Sequence, residues 1–207
     1  GGGLQQDSRM MLRFSFGTMG SGKSTVALQI HHNLRRRGLR GVLMTQLDRS
    51  SGVVSSRLGV SAEAVQITPG MDLYAAVTGV EYAVCDEAQF YEPAQVDQLA
   101  RAVDDLGIDV YAFGLLTSFQ GVLFPGTQRF LEVADERQEI QVEARCWCGS
   151  RATHNARLVD GEQVYDGELK VVGNTIDLRD QPKLAVGPDV TYELLCRKHW
   201  SEGRVHA

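Results

Sequence analysis

Residues Gly17-Thr-Met-Gly-Ser-Gly22-Lys23-Ser24 fit the pattern G-x-x-x-x-G-K-[ST] and leave few options for the chain around them. The pattern follows an apolar run, Leu12–Gly17, that reads as a strand. It opens a helical pattern over Ser21–Arg37 with Val26, Ala27, Ile30 and Leu34 on one face. A glycine-rich turn at a helix start points backbone N–H groups outward and lets an anion approach the main chain closely. Gly17, Thr18, Met19, Gly20, Ser21 and Gly22 are therefore expected to cradle phosphates. Lys23 would reach the β- and γ-phosphates, and the Ser24 hydroxyl would bind Mg²⁺.

The next segments extend the same order. Gly38 suits a left-handed helix stop, and Gly41–Leu47 reads as a second strand. Glu81–Asp86 reads as a third, with Ala83, Val84 and Cys85 apolar in succession, as in a strand covered on both faces. Pro93–Leu106 follows as a helix with Val96, Leu99, Val103 and Leu106 at helical spacing and Gly107 as its stop. Asp109–Leu116 is a further strand. Strand alternating with helix predicts an α/β fold, a P-loop (RecA-like) parallel sheet flanked by helices. Near Glu139 the character changes to short β-like segments, Cys/His pairs and a Gly/Pro/Asp-rich stretch over 173–189. A boundary in 138–145 gives a nucleotide-binding domain over 10–138 and a small zinc-containing β domain over 139–207. Residues 1–9 read as a leader or remnant outside the fold.

With 207 residues, the chain has room for one full-size domain of this kind and a satellite. A net charge of −5 disfavours a general nucleic-acid binder. The dense basic run Arg35, Arg36, Arg37 and Arg40 closes a predicted helix, where cations offset the helix dipole. No apolar stretch approaches the roughly 20 residues that span a bilayer, and GGGLQQDSRM, without an apolar core, does not read as a signal peptide. No membrane partner is expected, and the cysteine usage points to a reducing cytoplasm.

Val84-Cys85-Asp86-Glu87-Ala88-Gln89-Phe90 sets two acids where a buried strand leaves the sheet, the end that faces the ligand crevice in such folds. Asp86 is placed to hold Mg²⁺. Glu87 is the candidate general base for a hydroxyl attacking a γ-phosphate. The same Asp-Glu-Ala-Gln also permits a nucleic-acid-dependent ATPase with a zinc ribbon, in which Glu87 would activate water. Such motors use two tandem domains, and Arg145, Arg151, Arg157, Arg197 and Lys198 would have to form the basic surface. Cys85 reads as a small core residue.

Cys146-Trp-Cys148 and Cys196-Arg-Lys-His199 form two pairs far apart in sequence. A Cys₃His set suits a structural tetrahedral Zn²⁺; a disulfide or free thiols are the alternatives. Trp147 and Trp200 would shield the metal. His31, His32, His154 and His206 read as ordinary surface or packing residues.

The ordered set of these motifs resembles the type II thymidine kinase family. It comprises the loop Gly17–Ser24, Asp48-Arg49 with Val54-Ser-Ser-Arg-Leu-Gly59, Asp86–Phe90, Gly114–Gln120 leading to Leu123-Phe-Pro-Gly126, and both zinc pairs. Val171-Val172-Gly173-Asn174 and Tyr192 resemble the family's lasso loop. The resemblance implies transfer of the ATP γ-phosphoryl group to the thymidine 5′-hydroxyl, with Glu87 as base, ATP and Mg²⁺ required, structural Zn²⁺ and a homotetramer. It adds Thr25, Asp48 and Arg49 to the phosphate contacts. It also implies a nucleoside site of Met19, Gln89, Phe90, Leu115, Phe119, Phe124, Asn155, Val171, Val172, Gly173 and Tyr192. Thr175–Val190 looks inserted, and Ser118 stands where many relatives carry Asp or Gly.

Overall fold

A computed structural model describes residues 10–46, 53–55, 61–140, 143–169 and 189–207. The elements run β1 (Leu12–Gly17), α1 (Lys23–Arg36), β2 (Gly41–Thr45), β3 (Val53–Ser55), β4 (Ser61–Glu63), β5 (Val65–Gln66), α2 (Leu73–Ala76) and β6 (Tyr82–Cys85). A 3₁₀ turn (Ala88–Phe90), α3 (Pro93–Leu106), β7 (Asp109–Leu115), α4 (Pro125–Val133) and β8 (Glu136–Glu139) follow. Then come β9 (His154–Val159), β10 (Glu162–Val164), β11 (Val190–Leu195) and α5 (Arg197–Glu202). Among the described residues no helix is long and apolar enough to cross a membrane.

Two compact units emerge. Residues up to Phe16, Gly22–Gly114 and Pro125–Glu139 make the first; Gly17–Ser21, Leu115–Phe124 and Ile140–Ala207 make the second. The second unit thus takes in two short segments that lie within the 10–138 span of the sequence reading.

The first unit is built on a six-stranded sheet in the order β5-β2-β6-β7-β1-β8. The β2–β5, β2–β6, β6–β7 and β1–β8 pairings are all parallel. Every residue of β6 is buried, as its unbroken apolar run requires. Leu12 and Phe14 of β1 face inward, and Phe14 stacks on Phe130 of α4 with ring centroids 4.8 Å apart. β8, Glu-Arg-Gln-Glu, is exposed throughout, and its charges guard the sheet edge. α3 starts with Pro93 at its first turn, and Gln95 Oε1 accepts the Glu92 N–H at 3.0 Å. It ends where Gly107 turns left-handed at φ 66°.

Two details depart from the periodicity reading. α1 begins at Lys23 and buries Ala27, Leu28 and His31, whereas Val26 is 38% exposed. The buried stripe includes His31 because the buried Tyr82 phenol needs a partner, and His31 Nδ1 meets its oxygen at 2.9 Å. Gly41 leaves room for that phenol ring, which any Cβ there would overlap. Leu106, expected on the core face of α3, stands half exposed in the last helical turn.

The second unit holds an antiparallel sheet in the order β10-β9-β11. Cys146, Ala156 and Leu195 form its apolar centre, with Trp200 and Val205 packed against them. β3 and β4 form a separate antiparallel pair.

Candidate active site and metal centre

In the first unit, β6 delivers Asp86 and Glu87 directly into a tight turn. Asp86 is buried, and its Oδ2 accepts the Ser24 hydroxyl at 3.0 Å while its Oδ1 accepts the Glu87 N–H at 3.0 Å. Burial, reinforced by the charge of Glu87, raises the Asp86 carboxyl to about 6. Enclosure pulls the Lys23 ammonium down to about 8, against the opposing charges of Glu87 and Asp86. Glu87 stands at φ 53°, one of two non-glycine residues with positive φ among those described. A side chain held in that region is strained, and such strain concentrates at functional sites. The Gln89 amide steadies it, donating to Glu87 Oε2 at 2.7 Å.

The turn is closely sheathed. A Cβ on Gly126 would strike the Tyr91 carbonyl oxygen and come within 2.8 Å of the Gln89 carbonyl oxygen. One on Gly114 would sit 2.9 Å from the Gln89 nitrogen. Two glycines from separate elements therefore let backbone press against the segment that aims Glu87. No side chain caps α1, whose start is marked by Gly22 at φ 79°. That is the helix end whose N–H groups attract anions. Two acids, a hydroxyl and an ammonium around an anion-seeking helix start suit a divalent cation and a phosphate chain, and Ser24 and Asp86 could supply oxygen donors to such a cation.

In the second unit, β9 presents Asn155 and Arg157 two residues apart, and both are buried. Asn155 Oδ1 accepts the Met19 N–H at 3.0 Å, and its Nδ2 donates to the Thr117 carbonyl at 3.1 Å. The Arg157 guanidinium lies 3.7 Å over the Phe119 ring; its Nε donates to the Tyr192 hydroxyl at 3.1 Å and Nη2 to the Leu169 carbonyl at 3.3 Å. Phe119 and Phe124 are buried in the same unit.

The candidate metal centre gathers residues from two separate turns. Gly149 at φ 88° tightens the first, where the Cys146 N–H donates to the Ser150 carbonyl at 2.8 Å and the Gly149 N–H to the Cys146 carbonyl at 2.9 Å. The second is the start of α5. The ligand atoms of Cys146, Cys148, Cys196 and His199 all lie within 4.8 Å of one another. His199 Nδ1 is 3.5 Å from Cys146 Sγ and 3.4 Å from Cys196 Sγ, and Cys148 Sγ is 4.0 Å from Cys196 Sγ. Tetrahedral zinc, with Zn–S of about 2.3 Å and Zn–N of about 2.0 Å, sets edges of roughly 3.8 Å for S···S and 3.5 Å for S···N. The donor set fits Zn²⁺. The four cysteines are unpaired, and the Cys148–Cys196 sulfur separation of 4.0 Å is close to a tetrahedral edge rather than an S–S bond. Trp147 stacks on His199 at 4.2 Å, and Trp200 turns inward against the strand.

The expected residues thus divide into groups. Lys23, Ser24, Asp86, Glu87 and Gln89 cluster in the first unit, with Phe90 closing the same turn and Thr25 in the first turn of α1. Met19, Leu115, Phe119, Phe124, Asn155 and Tyr192 belong to the second. Asp48, Arg49, Val171, Val172 and Gly173 lie outside the described residues. Sequence reasoning gave Arg157 only a place on a basic surface; it is instead buried against aromatic rings. The signal available was its position two residues from Asn155 on one strand face. In the sequence Gly114 and Gly126 stand only as motif members, and the packing they permit appears once the turn is folded against them.

The family profile described as thymidine kinase matches residues 10–200. A thymidine kinase of Streptomyces avermitilis is 54% identical over 196 residues, covering 91% of this chain and 87% of the relative. One from Streptomyces coelicolor is 51% identical over the same shares, and one from Cutibacterium acnes is 46% identical over 93% of this chain and 88% of its own. The matched span takes in the phosphate loop, the acid-bearing turn and the cysteine–histidine cluster alike. This chain belongs to the thymidine kinase family.

Proposed function

We propose that the chain transfers the γ-phosphoryl group of ATP to the 5′-hydroxyl of thymidine, giving dTMP. The observation that carries this reading is the Lys23–Ser24–Asp86–Glu87 cluster, with Glu87 held at φ 53° beside the start of α1. The loop Gly17–Ser24 would bind the triphosphate, with Thr25, Asp48 and Arg49 adjoining it. Lys23 would sit against the β- and γ-phosphates. Ser24 and Asp86 would hold Mg²⁺, which supplies charge neutralisation on the transferred group. Glu87 would accept the proton of the 5′-hydroxyl as it attacks, and Gln89 would keep that carboxylate aimed.

Phe119, Phe124 and Tyr192 are the proposed base-side residues, with Met19, Phe90, Leu115, Val171, Val172 and Gly173 as further contacts; Asn155, which the resemblance adds to this set, has both ends of its amide engaged by Met19 and Thr117. Thymine presents a flat ring and an imide edge, which aromatic faces and main-chain groups suit. Cys146, Cys148, Cys196 and His199 would hold Zn²⁺ as a closed four-ligand centre, and its role would be to tie two distant turns together. A cytoplasmic setting fits the free thiols, and homotetrameric assembly follows the family resemblance.

The test is an ATP-coupled assay across nucleosides. Thymidine should be phosphorylated with a kcat/KM at least about a hundredfold above deoxycytidine, a floor below the roughly 10⁴-fold that a site built to hydrogen-bond its substrate achieves. Equal rates would contradict the thymidine assignment. ATP hydrolysis that needs added DNA or RNA would favour the motor reading instead.

A further inference from the structure

Asn155 lines the base site by resemblance, yet both ends of its amide are engaged elsewhere. Its Oδ1 accepts the Met19 N–H at 3.0 Å, and its Nδ2 donates to the Thr117 carbonyl at 3.1 Å. Met19 sits in the middle of the phosphate loop, between Gly17 and the left-handed Gly20 at φ 73°. The main chain of Asn155 is held too, because the Trp200 indole N–H donates to its carbonyl at 3.1 Å. Trp200 directly follows the metal-ligand candidate His199, and its ring packs where a Cβ on Gly121 would come within 2.5 Å.

We infer that Asn155 is a positioning residue of the phosphate loop, presetting the backbone at Met19 for the triphosphate. A glycine-rich loop has many accessible conformations, and only a few aim its N–H groups at one point. A buried side-chain acceptor that captures one loop amide selects among those conformations before nucleotide arrives. The ordering cost is then met in folding rather than in binding, which strengthens binding without a new contact to the ligand. Asn155 itself touches no reacting atom in this role. The inference rests on reading Gly17–Ser24 as the ATP site.

The experiment uses the full chain and compares wild type with Asn155→Ala, Asn155→Leu and Trp200→Phe. Three quantities are measured: the Kd of a non-hydrolysable Mg·ATP analogue without thymidine, the Kd of thymidine without nucleotide, and amide hydrogen exchange at Met19. Loss of one buried hydrogen bond should weaken the analogue about tenfold in the Asn155 variants, with thymidine changed less than about twofold. Met19 exchange should quicken by about the same factor while the β9–β11 amides keep their protection. Trp200→Phe, which keeps the ring and loses the indole N–H, should move the same readouts by a smaller factor.

A variant that weakens thymidine alone would overturn the inference and return Asn155 to the base site. So would unchanged analogue affinity with unchanged Met19 exchange. Should the variants fail to fold, wild-type exchange decides: a Met19 amide as unprotected as an open loop would overturn the inference, and protection matching β9 would support it. If wild type bound no nucleotide, the kinase reading would fall, and Met19 exchange would still judge the latch.

Discussion

Asp86 and Lys23 are a carboxylate and an ammonium driven in opposite directions by the same enclosure, and in the proposed site each would need its charged form to hold nucleotide. The Asp86 carboxyl is raised to about 6, so below that pH it is protonated and loses its value as a metal ligand. The Lys23 ammonium is lowered to about 8, so above that pH the free chain holds it neutral. Affinity for Mg·ATP should therefore fall on both sides of a window from about pH 6 to 8. Binding should release a proton on the acid side and take one up on the alkaline side. Calorimetry in buffers of different ionisation enthalpy reads both, and an affinity flat from pH 5 to 9 would refute this pairing. The types and spacing of these residues were legible in sequence, because a lysine after a glycine-rich loop and acids at the end of an apolar strand are local patterns. The φ of Glu87 was not. The turn that follows it packs against Gly114 and Gly126, which come from elements far along the chain.

The elements that aim Glu87 set a second expectation. Gly126 opens α4, and its missing side chain lets the Ala88 and Gln89 carbonyls approach. Gly126→Ala should push that turn outward. We expect about 1–3 kcal/mol of lost stability from overpacking and a kcat reduced about tenfold or more, because small misplacements of a catalytic group are costly. Mg·ATP affinity should change little, since Lys23 and Ser24 are on α1. A thermal melt with steady-state kinetics checks this, and an unaltered kcat would show the turn tolerates the methyl group. Strands β1, β6 and β7 and helix α3 were readable because period and boundary residues agreed. α4 was hidden because Pro125-Gly126 reads as loop chemistry, although proline is favoured in a first helical turn. β8 was hidden because an exposed, charged edge strand carries no apolar alternation.

Across the whole molecule, the second unit is assembled from three separated segments, and a reading that cuts the chain at one point cannot reveal such an assembly. Its apolar centre is small, with Cys146, Ala156 and Leu195 fully buried, so the Cys₃His set is expected to carry much of its stability. Elemental analysis should find one zinc per chain. A strong chelator should lower the melting temperature by about 10 °C or more and raise the thymidine KM; unchanged melting after verified metal loss would contradict this role. The central proposal is that a strained acid beside Lys23 at the start of α1 takes the proton from a sugar hydroxyl. The direct measurement is Glu87→Gln, assayed for thymidine phosphorylation and for binding of a non-hydrolysable Mg·ATP analogue. The expected result is a kcat lower by about 10²–10⁴ with analogue affinity within about threefold of wild type. A variant that turns over near the wild-type rate would contradict it.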